Sequence, residues 1–518
     1  MATAGNPIIG ADFPDLDVIR SGDTYYMVST TMHMMPGCVI LRSYDLLHWE
    51  TASYVYDALD GTPAQKLEDG QSAYGKGMWA ASLRRHNGKF YVCFVANDTH
   101  KTYLYTSERI EGPWSKQNIE GFYYDSSLLF DDDGRVFIVY GNTEIHLTEL
   151  KPDLTGPKPG GLDRVIVHDR GDVSLGYEGS HFYKINGKYY VFFIHWLATG
   201  TKRRTEACFA ADSPEGEFTG RDVLNDDMGF HNQGVAQGGI VDTPDGRWYA
   251  MLFQDHGAVG RVPVLVPVSW KDGFPVFGVG GRVPKRVETA GTRPDYRYAP
   301  LWGGDDFTFR TEPDGTVRLN PCWQWNHTPN ASLWSVTERP GHYRVRTGCV
   351  CTDVCRAQNT LTQRTVLPAC EASVTVDASQ LRDGDYAGIC ALQGCYGLIA
   401  LTRRDGEYFL VMKAREPGNS PDGRLQAPEE EFARIPFSLS TAELKVSCDF
   451  HDMTDKAEFF YRAGDRWVKL GITHQLRYLL DHFMGCRFGL FAYSTEQAGG
   501  TADFSNFRYA QPGAEEEA

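Results

Sequence analysis

The chain has 518 residues, 42% of them hydrophobic, a formal net charge of −16 and a pI near 5.4. That length calls for two cores rather than one. The acidic balance argues against nucleic acid, whose phosphates need a basic face, and no apolar run reaches the length of a membrane span, so a small neutral substrate is the easier partner to reconcile.

The first residues, Met1-Ala2-Thr3-Ala4-Gly5-Asn6-Pro7, have neither the basic nor the apolar stretch of a signal peptide, and a cytoplasmic location is expected. A hairpin signature then recurs five times: Ser21-Gly22-Asp23-Thr24-Tyr25-Tyr26, Asn87-Gly88-Lys89-Phe90-Tyr91, Asp133-Gly134-Arg135-Val136-Phe137, Asn186-Gly187-Lys188-Tyr189-Tyr190 and Asp245-Gly246-Arg247-Trp248-Tyr249. Asn-Gly and Asp-Gly between apolar runs mark tight turns joining antiparallel strands. A repeat of roughly fifty residues built from short strands predicts a propeller, with one copy per blade.

Counting back nine residues from the turn glycine reaches Trp79, Asp125, Glu178 and Gln237, and counting back seven reaches Asp15 in the first copy, whose hairpin is read as two residues shorter. Innermost strands of a propeller begin around one mouth of the channel. The register therefore predicts Asp15, Asp125 and Glu178 on three blades facing one pocket. Asp131, Asp132 and Asp133 read as turn residues at a hairpin tip. Apolar stretches such as Tyr103-Leu104-Tyr105-Thr106-Ser107 and Val264-Leu265-Val266-Pro267-Val268 follow the hairpins as outer strands, and without strong helical periodicity the class is all-β.

The propeller is assigned to residues 1–295, with Thr292 to Pro300 as a linker. Residues 305–512 form a second domain whose short apolar strands, such as Tyr408-Phe409-Leu410-Val411-Met412-Lys413, predict a β-sandwich. Twelve cysteines at irregular spacing are read as reduced and mostly buried. Cys349, Cys351 and Cys355 lack a Cys-x-x-Cys pair or a neighbouring histidine, and alternation along a strand accounts for the first two. The acidic tail, Gly513 to Ala518, is expected to be disordered.

Phe13-Pro14-Asp15, Trp79-Ala80, Asp125-Ser126-Ser127, Glu178-Gly179-Ser180-His181 and Gly260-Arg261, with Trp323-Gln324-Trp325-Asn326-His327 and Asn359-Thr360-Leu361-Thr362-Gln363-Arg364 in the second half, carry a resemblance over nearly the whole chain. The chain resembles glycoside hydrolase family 43, in the β-xylosidase and α-L-arabinofuranosidase group with an appended sandwich, a concanavalin-like jelly roll. The resemblance implies an exo-acting enzyme that removes terminal xylose or arabinofuranose from xylan-derived oligosaccharides with inversion. It implies Asp15 as general base, Glu178 as general acid, and Asp125 as the group that orients Glu178 and holds its proton by like-charge repulsion. Base and acid would stand about 6.5–9.5 Å apart, leaving room for water.

By the same resemblance Arg261 binds sugar hydroxyls, Trp79 stacks on a sugar ring and Phe13 lines the same wall. Met32, in Thr30-Thr31-Met32-His33-Met34-Met35, stands where some relatives have aromatic residues, so both sugars stay open. Members often hold a metal ion on the axis through a histidine at the position of Gln237. Calcium accepts amide oxygens, which makes Gln237 and His256 the expected contacts. A loop of the sandwich is expected to close one side of the pocket. Two other readings remain at this point, a retaining enzyme acting on fructosides and a sugar-binding propeller without catalysis. A homo-oligomer is compatible with all of them.

Overall fold

Each predicted hairpin grows into a four-stranded antiparallel sheet in the computed structural model, which describes residues 2–169, 173–197, 202–417 and 426–512. Blade one is Asp17–Ser21, Thr24–Ser29, Gly37–Ser43 and Glu50–Tyr56, and blade two Met78–His86, Lys89–Ala96, Lys101–Ser107 and Ser115–Ile119. Blade three is Ser127–Phe130, Val136–Asn142, Glu144–Leu150 and Asp163–His168, and blade four Val173–Ile185, Lys188–Leu197, Arg204–Ala211 and Thr219–Leu224. Blade five is Ala236–Asp242, Trp248–Asp255, Arg261–Lys271 and Phe274–Phe277.

The turn chemistry explains the hairpins. Asn87-Gly88 and Asn186-Gly187 are two-residue turns with φ of 46° and 81°, and 51° and 80°. Two consecutive positive φ values define the turn whose twist matches that of the flanking strands, and asparagine and glycine tolerate them best. Alternate residues of each strand pack on opposite neighbouring blades. Val136 and Ile138 meet Leu104 and Leu128 on one side of blade three, while Phe137 and Val139 meet Phe182 and Val191 on the other.

Near the axis a polar knot joins the blades. Asp17, fully buried on blade one, accepts from Arg84 Nη1 at 2.6 Å and from the Leu83 amide at 2.8 Å, and pairs with His181 Nδ1 at 3.2 Å. Arg84 in turn donates to Leu128 O, Ser127 Oγ and Phe182 O, so one guanidinium ties blades two, three and four to the first. The ring is closed where Ala2–Gly5 pairs with Arg286–Thr289.

The second domain is a sandwich of two large antiparallel sheets. One of them ends on a propeller segment: Met34–Met35 pairs with Gln324–Asn326 as its last strand. The apolar core runs without a break from Phe13, Val262 and Val259 of the propeller to Leu361, Val366 and Phe488 of the sandwich. Residues 292–300, expected as a linker, are a strap on blade one, with Tyr298 Oη accepting the Tyr44 amide at 2.8 Å and Arg293 paired with Asp23 at 2.8 Å.

Asp131, Asp132 and Asp133 form the turn as the sequence reading has them, with the Gly134 amide donating to Asp131 O at 3.1 Å, and Asp131, 3% exposed, also anchors it by receiving the Lys184 ammonium and the Tyr189 hydroxyl. One sequence reading needs correction. Cys349 and Cys351 do not alternate along a strand; only an isolated bridge from Val350 to Ser494 orders that segment, before Asp353 caps the short helix Val354–Arg356. None of the twelve cysteines is assigned to a disulfide. The tail 513–518 lies outside the described residues. Among the described residues no helix is long and apolar enough to cross a membrane.

Candidate active site

Asp15 and Asp125 each stand two residues ahead of the first inner-strand residue of their blade, and Glu178 lies within the inner strand of blade four. The backbone departs from extended geometry at this same place in successive copies. Asp15, Asp125 and Gln237 have φ of 53°, 48° and 60°, and Gly179, beside Glu178, has 67°. The inner strands of blades two, four and five also slip register here, between Met78 and Ala81, Glu178 and His181, and Ala236 and Gly238. Bulges re-aim side chains at strand ends, and left-handed non-glycine residues persist where the surroundings over-determine them. At 179 only glycine fits, since a Cβ would come within 2.7 Å of Gln237 Cγ.

Arg261, at the start of the third strand of blade five, donates from Nη1 to Asp15 Oδ1 at 2.8 Å. Its guanidinium lies over the rings of Phe483 and Phe253, at 4.8 and 5.4 Å. Nε and Nη2 are buried without a hydrogen-bond partner among the described residues, which leaves two donor atoms of a rigid fork for a ligand. Asp12 holds this corner together: one carboxylate oxygen accepts the Arg261 amide at 2.8 Å and the other the Gly485 amide of the sandwich at 2.9 Å.

Glu178 Oε2 accepts from Tyr124 Oη at 3.2 Å and from Asn142 Nδ2. Burial pushes the Glu178 carboxyl above the usual range, with the Asp15 charge adding to it, while Asn142, Tyr124 and Arg204 pull the other way. Burial likewise drives Asp125 well up, reinforced by the charges of Glu178 and Asp15 and opposed by the Gly179 amide and Arg261. The three carboxyls are therefore near enough to influence one another's ionisation. A raised pair beside a carboxylate with a permanent counter-ion can store a proton on one side and offer a negative oxygen on the other.

The wall is aromatic and sulfur-rich. Trp79 meets Tyr124 and Phe483 edge-on at 5.8 and 5.6 Å, and Met32, Met34 and Met484 pack against Trp79 and Phe483. Trp79 is half-buried. Met32 and Phe13 are each 1% exposed, and Arg364 lies 4.0 Å over the Phe13 ring, so both back the wall from behind. Phe483 and Met484 come from the sandwich, as a loop closing one side.

Four residues escaped the sequence reading. Tyr124 adjoins Asp125 and had the strongest local signal. Asn142 ends the second strand of blade three, and Arg204, ion-paired with Asp255 at 2.6 Å, opens the third strand of blade four. Phe483 is remote in sequence and had no pattern to announce it.

The two expected calcium contacts have other partners in the structure. His256 pairs through Nε2 with Gln254 Oε1 at 2.9 Å and stacks on Phe230 at 4.1 Å, while Gln237 lays its side chain against Gly179. Calcium takes about six to eight oxygens, and among the described residues no three His, Cys, Asp or Glu side chains converge as a ligand set.

Comparison with known proteins shows the family. Residues 4–275 match the family described as Glycosyl hydrolases family 43, and residues 315–510 match the Beta xylosidase C-terminal Concanavalin A-like domain. The chain is similar to a β-xylosidase of Formosa agariphila, 27% identical over 98% of this chain and 90% of that one. It is 29% identical to a non-reducing end α-L-arabinofuranosidase of Bacteroides ovatus over 66% of this chain and 65% of that one. Among solved structures, a bifunctional GH43-CE protein of Bacteroides eggerthii superposes with a TM-score of 0.89 at 43% identity, covering 98% of this chain; the chain spans 63% of that protein's length.

Proposed function

The chain belongs to glycosyl hydrolase family 43, and from that premise we propose that it is an exo-acting glycosidase removing terminal β-D-xylose or α-L-arabinofuranose from xylan-derived oligosaccharides with inversion. The observation that carries the reading is that Asp15, Asp125 and Glu178 lie near enough to influence one another's ionisation, with Arg261 hydrogen-bonded to Asp15. In this reading Glu178, its carboxyl raised by burial, gives a proton to the leaving oxygen. Asp15, oriented by Arg261, takes a proton from the attacking water. The negative charge of Asp125, when it is ionised, disfavours ionisation of Glu178 and so helps keep the proton there. Arg261 offers its two unpartnered donors to sugar hydroxyls, and Phe483 from the sandwich shuts one side, which suits attack at chain ends.

Purified protein is expected to hydrolyse both a nitrophenyl β-D-xyloside and a nitrophenyl α-L-arabinofuranoside. Proton NMR of early products should show the sugar released with inverted anomeric configuration. Retention would sink the inverting mechanism, and inactivity on both substrates would sink the enzyme reading. Exhaustive chelation tests the proposed calcium: with an ion on the axis kcat and Tm should fall and recover on adding calcium, and no change in either would remove the ion from the mechanism.

A further inference from the structure

A second cleft lies on the seam between blades two and three, lined by Phe122, Tyr123 and Tyr140 with Glu120 and Lys151 among its polar groups, and with a volume of about 450 Å³. That size falls in the range of about 300–1,000 Å³ typical of small-molecule sites. Two of its aromatic rings are backed by imidazoles. Phe122 stacks on His100 at 4.1 Å with the planes 14° apart, and Tyr140 on His146 at 5.3 Å and 20°. Tyr123 meets Tyr140 edge-on at 4.8 Å and holds the corner between them. Each plate is half-buried, so one face is fixed by its neighbour while the residue still reaches solvent.

The lining of the cleft adjoins catalytic-site residues along the chain. Phe122 and Tyr123 lead directly into Tyr124 and Asp125, and the amide of Gly141, next to Tyr140, donates to Tyr124 O at 3.0 Å. Thr102 Oγ1 donates to Gly121 O at 2.9 Å and accepts the Tyr123 amide at 3.0 Å, and the Glu120 amide donates to Thr155 O at 2.9 Å, so the lining is tied down on both sides. Rigid aromatic plates with a few hydroxyl-binding groups suit a ligand that is apolar on its ring faces and polar at its edges. One acid and one base at the lip give no net charge to attract an ion.

Resting on the glycosidase reading above, we propose that this cleft binds a run of neutral sugar units, the part of a longer xylan-type substrate that lies beyond the residue being removed. The sugar rings stack on Phe122 and Tyr140, and their hydroxyls meet Glu120 and Lys151. The cleft thereby adds selectivity for long or polymeric substrates to a pocket that handles only the terminal sugar.

The test compares short and long substrates. Phe122→Ala and Tyr140→Ala, made separately, should keep wild-type kcat and KM on a nitrophenyl glycoside while raising KM on xylo-oligosaccharides of increasing length by up to about tenfold, as loss of one stacking partner would. Phe122→Trp keeps a plate and should hold KM near wild type, which separates lost stacking from a disturbed fold. Co-sedimentation with insoluble xylan, weakened in both alanine variants, would extend the ligand from soluble chains to the polymer. Equal KM for wild type and both alanine variants at every chain length, with Tm unchanged, would overturn the proposal. If the wild type hydrolyses no glycoside at all, the glycosidase reading falls instead, and calorimetric titration with the same oligosaccharides still decides whether the cleft binds them.

Discussion

Glu178 and Asp15 are separated by what they are asked to do. A sugar alkoxide must be protonated as it leaves, whereas a nitrophenolate departs almost unaided. Glu178→Ala should therefore lose about 10²–10⁴-fold in kcat/KM on xylobiose and far less on a nitrophenyl glycoside. Asp15→Ala should lose heavily on both, because water needs its base whatever leaves. Similar losses for Glu178→Ala on the two leaving groups would refute the assignment. Asp125 makes a sharper case. Burial first, and the Glu178 charge second, lift its carboxyl, so the folded protein holds protons that the unfolded chain releases above pH about 4. The stability tied to that proton is complete at low pH and is lost as pH rises through the folded value. Asp125→Asn should thus raise Tm at pH 7, leave it nearly unchanged near pH 4, and yet lower kcat. Where Asp125 is ionised as Glu178 titrates, removing that charge lets Glu178 give up its proton more easily, and the alkaline limb of the pH–rate profile should move to lower pH. A fixed limb would rule out electrostatic coupling between the two.

Strands and turns were the most legible level. Asn-Gly and Asp-Gly with apolar flanks predict local geometry directly, and the five repeats, with the first read as two residues shorter, set Asp15, Asp125 and Glu178 at matching places in their copies. What the repeat could not reveal was the burial of charge inside it. Asp17 and Arg84 look like ordinary strand polar residues, yet they form the knot at the axis. Burial pushes the Asp17 carboxyl up, but Arg84 and then His181 more than offset it and hold it below the usual range. Arg84→Met leaves that carboxylate buried without its cation and should destabilise by about 3–5 kcal/mol at pH 7. Because the Asp17 carboxyl is depressed in the folded state, the stability from the pair exists above pH about 4 and fades as pH falls through the folded value. Calorimetry should find the Tm gap between wild type and Arg84→Met narrowing toward pH 3. A gap independent of pH would mean that lost packing, not the ion pair, is being measured.

The propeller and the sandwich behave as one body because neither finishes its own surface. Met34–Met35 completes a sandwich sheet, Asp12 bridges Arg261 to Gly485, and Phe483 completes the pocket. Sequence periodicity finds strands within a domain but not contacts across hundreds of residues, which is why this seam was visible only as a resemblance. Such a shared core should melt in one cooperative transition, and the seam contains its own pH reporter. Asp455 of the sandwich accepts the Ala258 amide of blade five at 2.9 Å through Oδ2, while its Oδ1 is buried with no hydrogen-bond partner among the described residues. Burial pushes its carboxyl up to about 6. The folded state thus retains a proton there that the unfolded chain loses near pH 4, and the seam weakens between about pH 4 and the folded value as that proton leaves. Asparagine keeps the acceptor for Ala258 and cannot ionise. Asp455→Asn should match the wild-type Tm near pH 4 and exceed it at pH 8, with both domains still melting together. Two separated transitions would refute the shared core, and a Tm difference that ignores pH would show that the Asp455 charge does not load the seam.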